Sequence, residues 1–329
     1  MRHQDLKEPQ PWTPESEKKK AKRLIARTPA ACRRVLEGFS RWLEEERGLC
    51  PSSITLRILS ASRFVAAMSR GLPGSRALRR VTARKVEDFF VGYCSDHGWA
   101  ARRAMQASLR LVLRFACCRG WVARDLVEAV PSLRTYRLSS TPRGLGDKAL
   151  GQLVRSVADA RVSARDRAIV YLLAGYGVRR GQVSGLRLED IDWRARTITF
   201  RAHKGGKPVE HALTPAIARA LTKYLRDERS ASDSAHVFLR ARKPYLPIAP
   251  GVVSEVVRSR MLRLGFQGVP LGPHALRHAF ATRLLRAGQP LKAIADLLGH
   301  RSLSATSVYA KVDHPRLLEV AVDWPEGSL

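Results

Sequence analysis

The chain has 329 residues, 45% of them hydrophobic, and carries 59 Lys and Arg against 29 Asp and Glu, a net charge of +30 with an isoelectric point near 11.1. That length allows two ordinary domains, and that apolar content excludes a disordered basic tail. The excess of cations excludes a chain indifferent to charge and selects a polyanionic partner, nucleic acid first.

A GC-rich genome exchanges Lys for Arg, but it does not remove the acids that would balance them. No apolar run approaches the ~20 residues of a membrane span. The opening stretch MRHQDLKEPQPWTPESEKKKAKR has no apolar core of a signal peptide. A soluble, cytoplasmic protein without a membrane partner is expected. The cysteines are Cys32, Cys50, Cys94, Cys117 and Cys118. Their odd number and the lack of a CxxC pair read as a reduced chain with no structural zinc.

Residues 1–28 are polar, Pro-bearing and charged, and read as a basic flexible arm that adds salt-dependent affinity. Residues 29–130 carry a helical pattern throughout. CRRVLEGFSRWLEEERG places Val35, Leu36, Phe39, Trp42 and Leu43 on one stripe and stops at Gly48. SSITLRILSASRFVAAMSRG follows, with Ser52 or Ser53 as N-cap and Gly71 as stop. TARKVEDFFVGYCSDHG and AARRAMQASLRLVLRFACCRG complete a small domain of four helices. Cys117 and Cys118 pack in the last helix, and Arg102, Arg103, Arg110 and Arg114 are placed on solvent faces. Residues 131–145 are basic, without period, and rich in Pro and Gly, as a linker lying along DNA would be.

The second domain, 146–329, opens with the helical stretches DKALGQLVRSVADA and ARDRAIVYLLAGYG. A strand signal follows in Thr197, Ile198, Thr199 and Phe200, then a tight turn in HKGGK, then VEHAL, which alternates like a returning strand. The helix PAIARALTKYLRDERS comes next. The expected class is mainly α with one small antiparallel β-sheet, an α+β chain of two domains.

The chemistry gathers near the end. GPHALRHAFATRLLRAG starts a helix at Pro273 and ends it at Gly288, with Leu276, Phe280 and Leu284 as its buried stripe. His274, Arg277 and His278 fall in or beside the first turn, where unpaired N–H groups and the helix dipole favour an anion. Arg presents a planar fork to phosphate oxygens, and His a proton near neutral pH. In KAIADLLGHRSLSATSVYAKVD a short helix with Ile294, Leu297 and Leu298 ends at Gly299. His300 comes next, and Ser304 can cap a last helix that carries Tyr309. Upstream, YGVRRGQVSGL sets Arg179 at a helix start, and Lys204 sits in the strand turn, with Lys207 as a rival in KGGK.

In these residues the chain resembles the tyrosine recombinase, or phage integrase, family, which includes the Xer recombinases and lambda integrase. The order Arg179, Lys204, His274-x-x-Arg277, His300, Tyr309 is that of the family, and the resemblance spans residues 30–313. It implies an N-terminal core-binding domain followed by an integrase-type catalytic domain. It also implies site-specific cleavage and rejoining of double-stranded DNA through a 3′-phosphotyrosyl bond, by a tetramer on two sites, formed by this chain alone or with related recombinases. In that scheme Tyr309 attacks the phosphodiester, and Arg179 and Arg277 hold the non-bridging oxygens. Lys204 gives a proton to the leaving 5′-oxygen, His274 serves the tyrosine, and His300 hydrogen-bonds the phosphate. His278 stands behind them. No cofactor, ATP or metal is expected.

One position departs from the family: three residues beyond the first arginine an acid is usual, and here stands Gln182, with Arg180 beside Arg179. That loss of charge leaves open a second reading, a DNA-binding accessory protein of the same fold with impaired catalysis. A type IB topoisomerase is a third, sharing the chemistry without a tetramer. The closing segment DHPRLLEVAVDWPEGSL, with Leu317, Leu318, Val320, Val322 and Trp324, is expected to dock on a neighbouring protomer.

Overall fold

The computed structural model describes residues 14–69, 72–133, 144–202, 207–300 and 306. The chain divides into two compact units, Met1–Tyr136 and Arg137–Leu329, with the boundary inside the 131–145 segment read as a linker.

In the first unit, helices α1 (Pro14–Ala26), α2 (Ala30–Glu45), α3 (Pro51–Ser69), α4 (Gly74–Leu78), α5 (Ala83–Ser95) and α6 (Trp99–Cys118) surround one core. The apolar stripe of α2 is buried as its spacing requires, down to Phe39 and Leu43 at 0% exposure. Phe39, Trp42 and Phe115 form its centre, with ring centroids 5.6–6.1 Å apart.

The arm expected over residues 1–28 is a helix from residue 14 onward. Its sequence is lysine-rich, but Ala21 and Ile25 lie four apart and are buried, with Leu24 beside them. Thr55 Oγ1 of α3 donates to the Glu17 carbonyl at 3.2 Å. Packing on α3 thus supplies what the segment's own weak stripe does not. Ser52 and Ser53 lie inside the first turn of α3 rather than capping it, and Gly71 falls outside the described residues.

The solvent-face reading of the α6 arginines holds for Arg103 and Arg114 only. Arg102 Nε donates to the His97 carbonyl at 2.6 Å, and Arg110 Nη2 donates to the Val130 carbonyl at 3.4 Å and to Ser132 Oγ at 3.3 Å. With Gln106 donating to the Pro131 carbonyl, α6 anchors the start of the linker. All five cysteines are free thiols.

The second unit contains α7 (Asp147–Ser156), α8 (Ala164–Tyr176), α9 (Arg180–Ser184), strands β1 (Ile191–Asp192), β2 (Thr197–Phe200) and β3 (Val209–Ala212), then α10 (Pro215–Lys223), α11 (Pro250–Arg263), α12 (Pro273–Arg286) and α13 (Leu291–Leu298). The strands form an antiparallel sheet in the order β1-β2-β3, with Phe200 opposite Val209 as the last β2–β3 pair. The connection between them therefore runs from 201 to 208, and residues 203–206 of the turn expected in HKGGK lie outside the described residues. The α8 start is capped twice: Ser163 Oγ accepts from the Asp166 N–H at 3.2 Å, and Glu228, in the π turn after α10, takes the Ala164 and Arg165 N–H groups.

The core joins Leu172 and Leu173 of α8, Ile198 and Phe200 of β2, Val253 and Val257 of α11, and Leu276 of α12. On α12 only Leu276 of the expected stripe is fully buried. Phe280 and Leu284 are half-buried against α13, and Ala275, Ala279 and Ala281 fill the deep positions, because the helix meets its neighbours at small residues. Among the described residues no helix is long and apolar enough to cross a membrane.

Candidate active site

The site is built where three helix ends meet. α8 stops at Gly177, whose φ of +59° is left-handed backbone that favours glycine. A side chain there would also strike the Phe280 ring, with an added Cβ 2.6 Å from it. α13 stops in the same way at Gly299, φ +62°. A Cβ on Gly299 would lie 3.0 Å from Val209 Cγ2 and 3.8 Å from Arg179 Nη1, so α13 ends directly against β3 and the arginine. α12 begins alongside, carrying His274, Arg277 and His278.

The carbonyls freed at these helix ends hold the two arginines. Arg277 is 6% exposed; its Nη1 donates to the Gly177 carbonyl at 2.8 Å and its Nη2 to the Leu298 carbonyl at 2.8 Å. Arg179 Nη1 donates to the same Leu298 carbonyl at 3.3 Å and to that of Gly299 at 3.2 Å. Sharing one oxygen puts the two guanidinium nitrogens at most about 6 Å apart. The negative end of the α13 dipole thus fixes two cations side by side.

Arg179 is the N-cap of α9. Gln182 Oε1 accepts from the Arg179 backbone N–H at 3.0 Å, and Gln182 Nε2 donates to the Arg201 carbonyl beyond β2 at 3.3 Å. The amide that replaces the usual acid therefore uses both its donor and its acceptor. Arg180 turns away, its Nη1 donating to Ser254 Oγ of α11 at 3.0 Å. That separates the two adjacent arginines, which the sequence left side by side.

His300 lies just past Gly299. Its Nδ1 is 2.6 Å from Oγ1 of Thr306, a fully buried residue. Burial first, then the positive charges of Arg277, Arg179 and His278, push the imidazole down to about 4. The same causes, burial first and then His274 and Arg277, lower His278. His274 is exposed on the first turn of α12. The structure therefore gathers Arg179, Arg277 and His300, with His278 beside them and His274 exposed one turn before Arg277, while Lys204 and Tyr309 lie outside the described residues.

Thr306 and the Leu298, Gly177 and Gly299 carbonyls were not legible as site groups in the sequence. Only the two glycines, as helix stops, hinted that carbonyls would be exposed there. Among the described residues no three His, Cys, Asp or Glu side chains are grouped as metal ligands would be.

The model described as the phage integrase family matches residues 145–316. Tyrosine recombinase XerC of Rhodospirillum centenum is 33% identical over 295 residues, covering 87% of this chain and 85% of that protein. Among solved structures, the XerH site-specific recombinase bound to palindromic difH substrate, a post-cleavage complex, aligns with a TM-score of 0.70 at 18% identity, over 95% of this chain and 90% of that one. A lambda integrase tetramer bound to a Holliday junction aligns with a TM-score of 0.65 at 19% identity, over 84% and 76%. These two likenesses concern the fold; the family match and the XerC identity go further. The chain belongs to the phage integrase family, the tyrosine recombinases.

Proposed function

We propose that this chain is a site-specific recombinase that cleaves and rejoins double-stranded DNA through a 3′-phosphotyrosyl intermediate, for integration, excision or resolution of a mobile element. The observation that carries the reading is the pairing of Arg179 and Arg277 on one carbonyl, with His300 beside them. Two fixed cations a few ångströms apart match the two non-bridging oxygens of a phosphodiester. They need no rearrangement as negative charge builds on those oxygens.

In this reading the Tyr309 phenolate attacks phosphorus, and the bond to the 5′-oxygen breaks. A phenol has a pKa of about 10, so its proton must pass to a base, the role given to His274. Lys204 protonates the leaving 5′-oxygen. The low pKa of His300 keeps it neutral at pH 7, and with Nδ1 engaged by Thr306 its Nε2 is the nitrogen that meets a phosphate oxygen. The reverse reaction restores the DNA, so the step consumes no ATP and needs no cofactor. The partners are DNA sites and further copies of the chain, as a tetramer, with related recombinases as possible members. Lambda integrase, with the same fold, is known as a tetramer on a Holliday junction.

The test is a nicked suicide substrate carrying the repeats that flank the gene. The wild type should give a covalent protein–DNA adduct on a denaturing gel, and Tyr309→Phe none. A specific shift on a native gel without any adduct would instead make the chain a DNA-binding accessory protein. Adduct without exchange between two sites would make it a topoisomerase.

A further inference from the structure

The inward face of β3 carries one side chain that its pattern does not ask for. The strand alternates buried and exposed, and Val209 and His211 point inward. His211 is 7% exposed, and its Nε2 is buried without a hydrogen bond among the described residues. An apolar residue would fill this place without the cost of an unpaired polar atom. Burial keeps the imidazole neutral, down to about 4, so it adds no charge to the cationic cluster.

What the ring touches gives the reason for its presence. It stacks on Tyr176 with centroids 4.7 Å apart, and it hydrogen-bonds the backbone of Leu297. Tyr176 immediately precedes Gly177, whose carbonyl accepts from Arg277. Leu297 immediately precedes Leu298, whose carbonyl accepts from both Arg277 and Arg179. One buried ring therefore abuts the residue before each of the two carbonyls that grip Arg277. Tyr176 is itself tied to the strand, its hydroxyl donating to the Ala212 carbonyl at 2.7 Å. Val209, two residues before His211, is what Gly299 rests on.

From this placement we infer that His211 is a positioning residue, a link between Tyr176 and the Leu297 backbone that holds the α8 and α13 carbonyl ends at the separation Arg277 and Arg179 require. The inference rests on the recombinase reading for its consequence in catalysis, but not for its geometry. Loss of the contact to Leu297 frees the α13 end from β3, and the arginine pair loses its alignment before any DNA is lost.

The test compares His211→Leu, which keeps an apolar filling of similar volume, with His211→Gln, whose amide can still donate toward Leu297. In His211→Leu the single-turnover rate of adduct formation on the suicide substrate should fall about tenfold or more, with site affinity within about twofold of wild type. His211→Gln should recover at least about a third of the wild-type rate. Independently of DNA, the Gly299 and His300 amides should exchange about tenfold faster in His211→Leu, while those in the middle of α8 stay unchanged. An unaltered exchange, or a rate within about twofold of wild type, overturns the proposal. If the wild type itself forms no adduct, the recombinase reading fails, and the exchange measurement alone decides the role of His211.

Discussion

Arg179 and Gln182 show how much of a site can hang on one amide. Gln182 is 7% exposed and faces an N–H on one side and a carbonyl on the other, the Arg179 backbone and the Arg201 carbonyl. A carboxylate in its place can accept from the first but cannot donate to the second, and two oxygens would meet. Gln182→Glu, although it restores the residue usual in the family, should therefore lower stability by about 1–3 kcal/mol, read by urea unfolding. Equal or greater stability would mean that the new carboxylate turns to the Arg179 guanidinium instead. At this scale the sequence made the cations legible, since Arg179 and Arg277 stand near helix starts, where anions bind, and His300 follows the glycine that stops α13. It could not make their holders legible. The Leu298 and Gly177 carbonyls belong to the backbone, and no residue type encodes them. Thr306 and His211 are ordinary letters until the fold places them against His300 and Leu297.

The elements that carry the site were legible where the residues repeat at helical spacing and end in glycine. α2, α8, α12 and α13 follow the sequence reading closely, and Gly177 and Gly299 end α8 and α13 in left-handed backbone. The elements it passed over have weak patterns of their own. α1 is too basic, α4 is five residues long, and β1 has two residues and exists only by pairing with β2. α11 begins at Pro250 and buries Val253, Val257 and Met261, but Leu262 beside them is exposed, so its apolar residues do not read as one stripe.

The junction at Gly177 is the most demanding of these. Alanine there would take a left-handed φ that costs about 1–2 kcal/mol, and its Cβ would meet the Phe280 ring at 2.6 Å. Gly177→Ala should lose about 2 kcal/mol or more of stability in thermal unfolding. Phe280→Leu in the same chain should return part of it, since the ring is what the new methyl strikes. No recovery would place the whole cost in the backbone.

At the scale of the molecule the charge and the closing segment make opposite demands. On the recombinase reading, the net charge of +30 favours binding to a single DNA site by releasing counterions, with an affinity that should fall steeply with salt. The last sixteen residues, 314–329, pull the other way: one arginine, Arg316, stands against Glu319, Asp323 and Glu326, a net charge of −2. On electrostatics alone, their removal leaves a chain of +32 that should bind one site as well as before or better. The same segment carries Leu317, Leu318, Val320, Val322 and Trp324, apolar residues suited to burial against another protomer. If it serves assembly, truncation after Asp313 should separate the two properties. Single-site shifts on native gels would hold or strengthen, with their salt dependence kept, while the slower complexes containing two sites fall several-fold. A parallel loss of both would mean that the segment completes its own domain. Undiminished pairing would show that the protomers meet through other surfaces, leaving the acidic tail to temper the affinity of a very basic chain for DNA that is not its target.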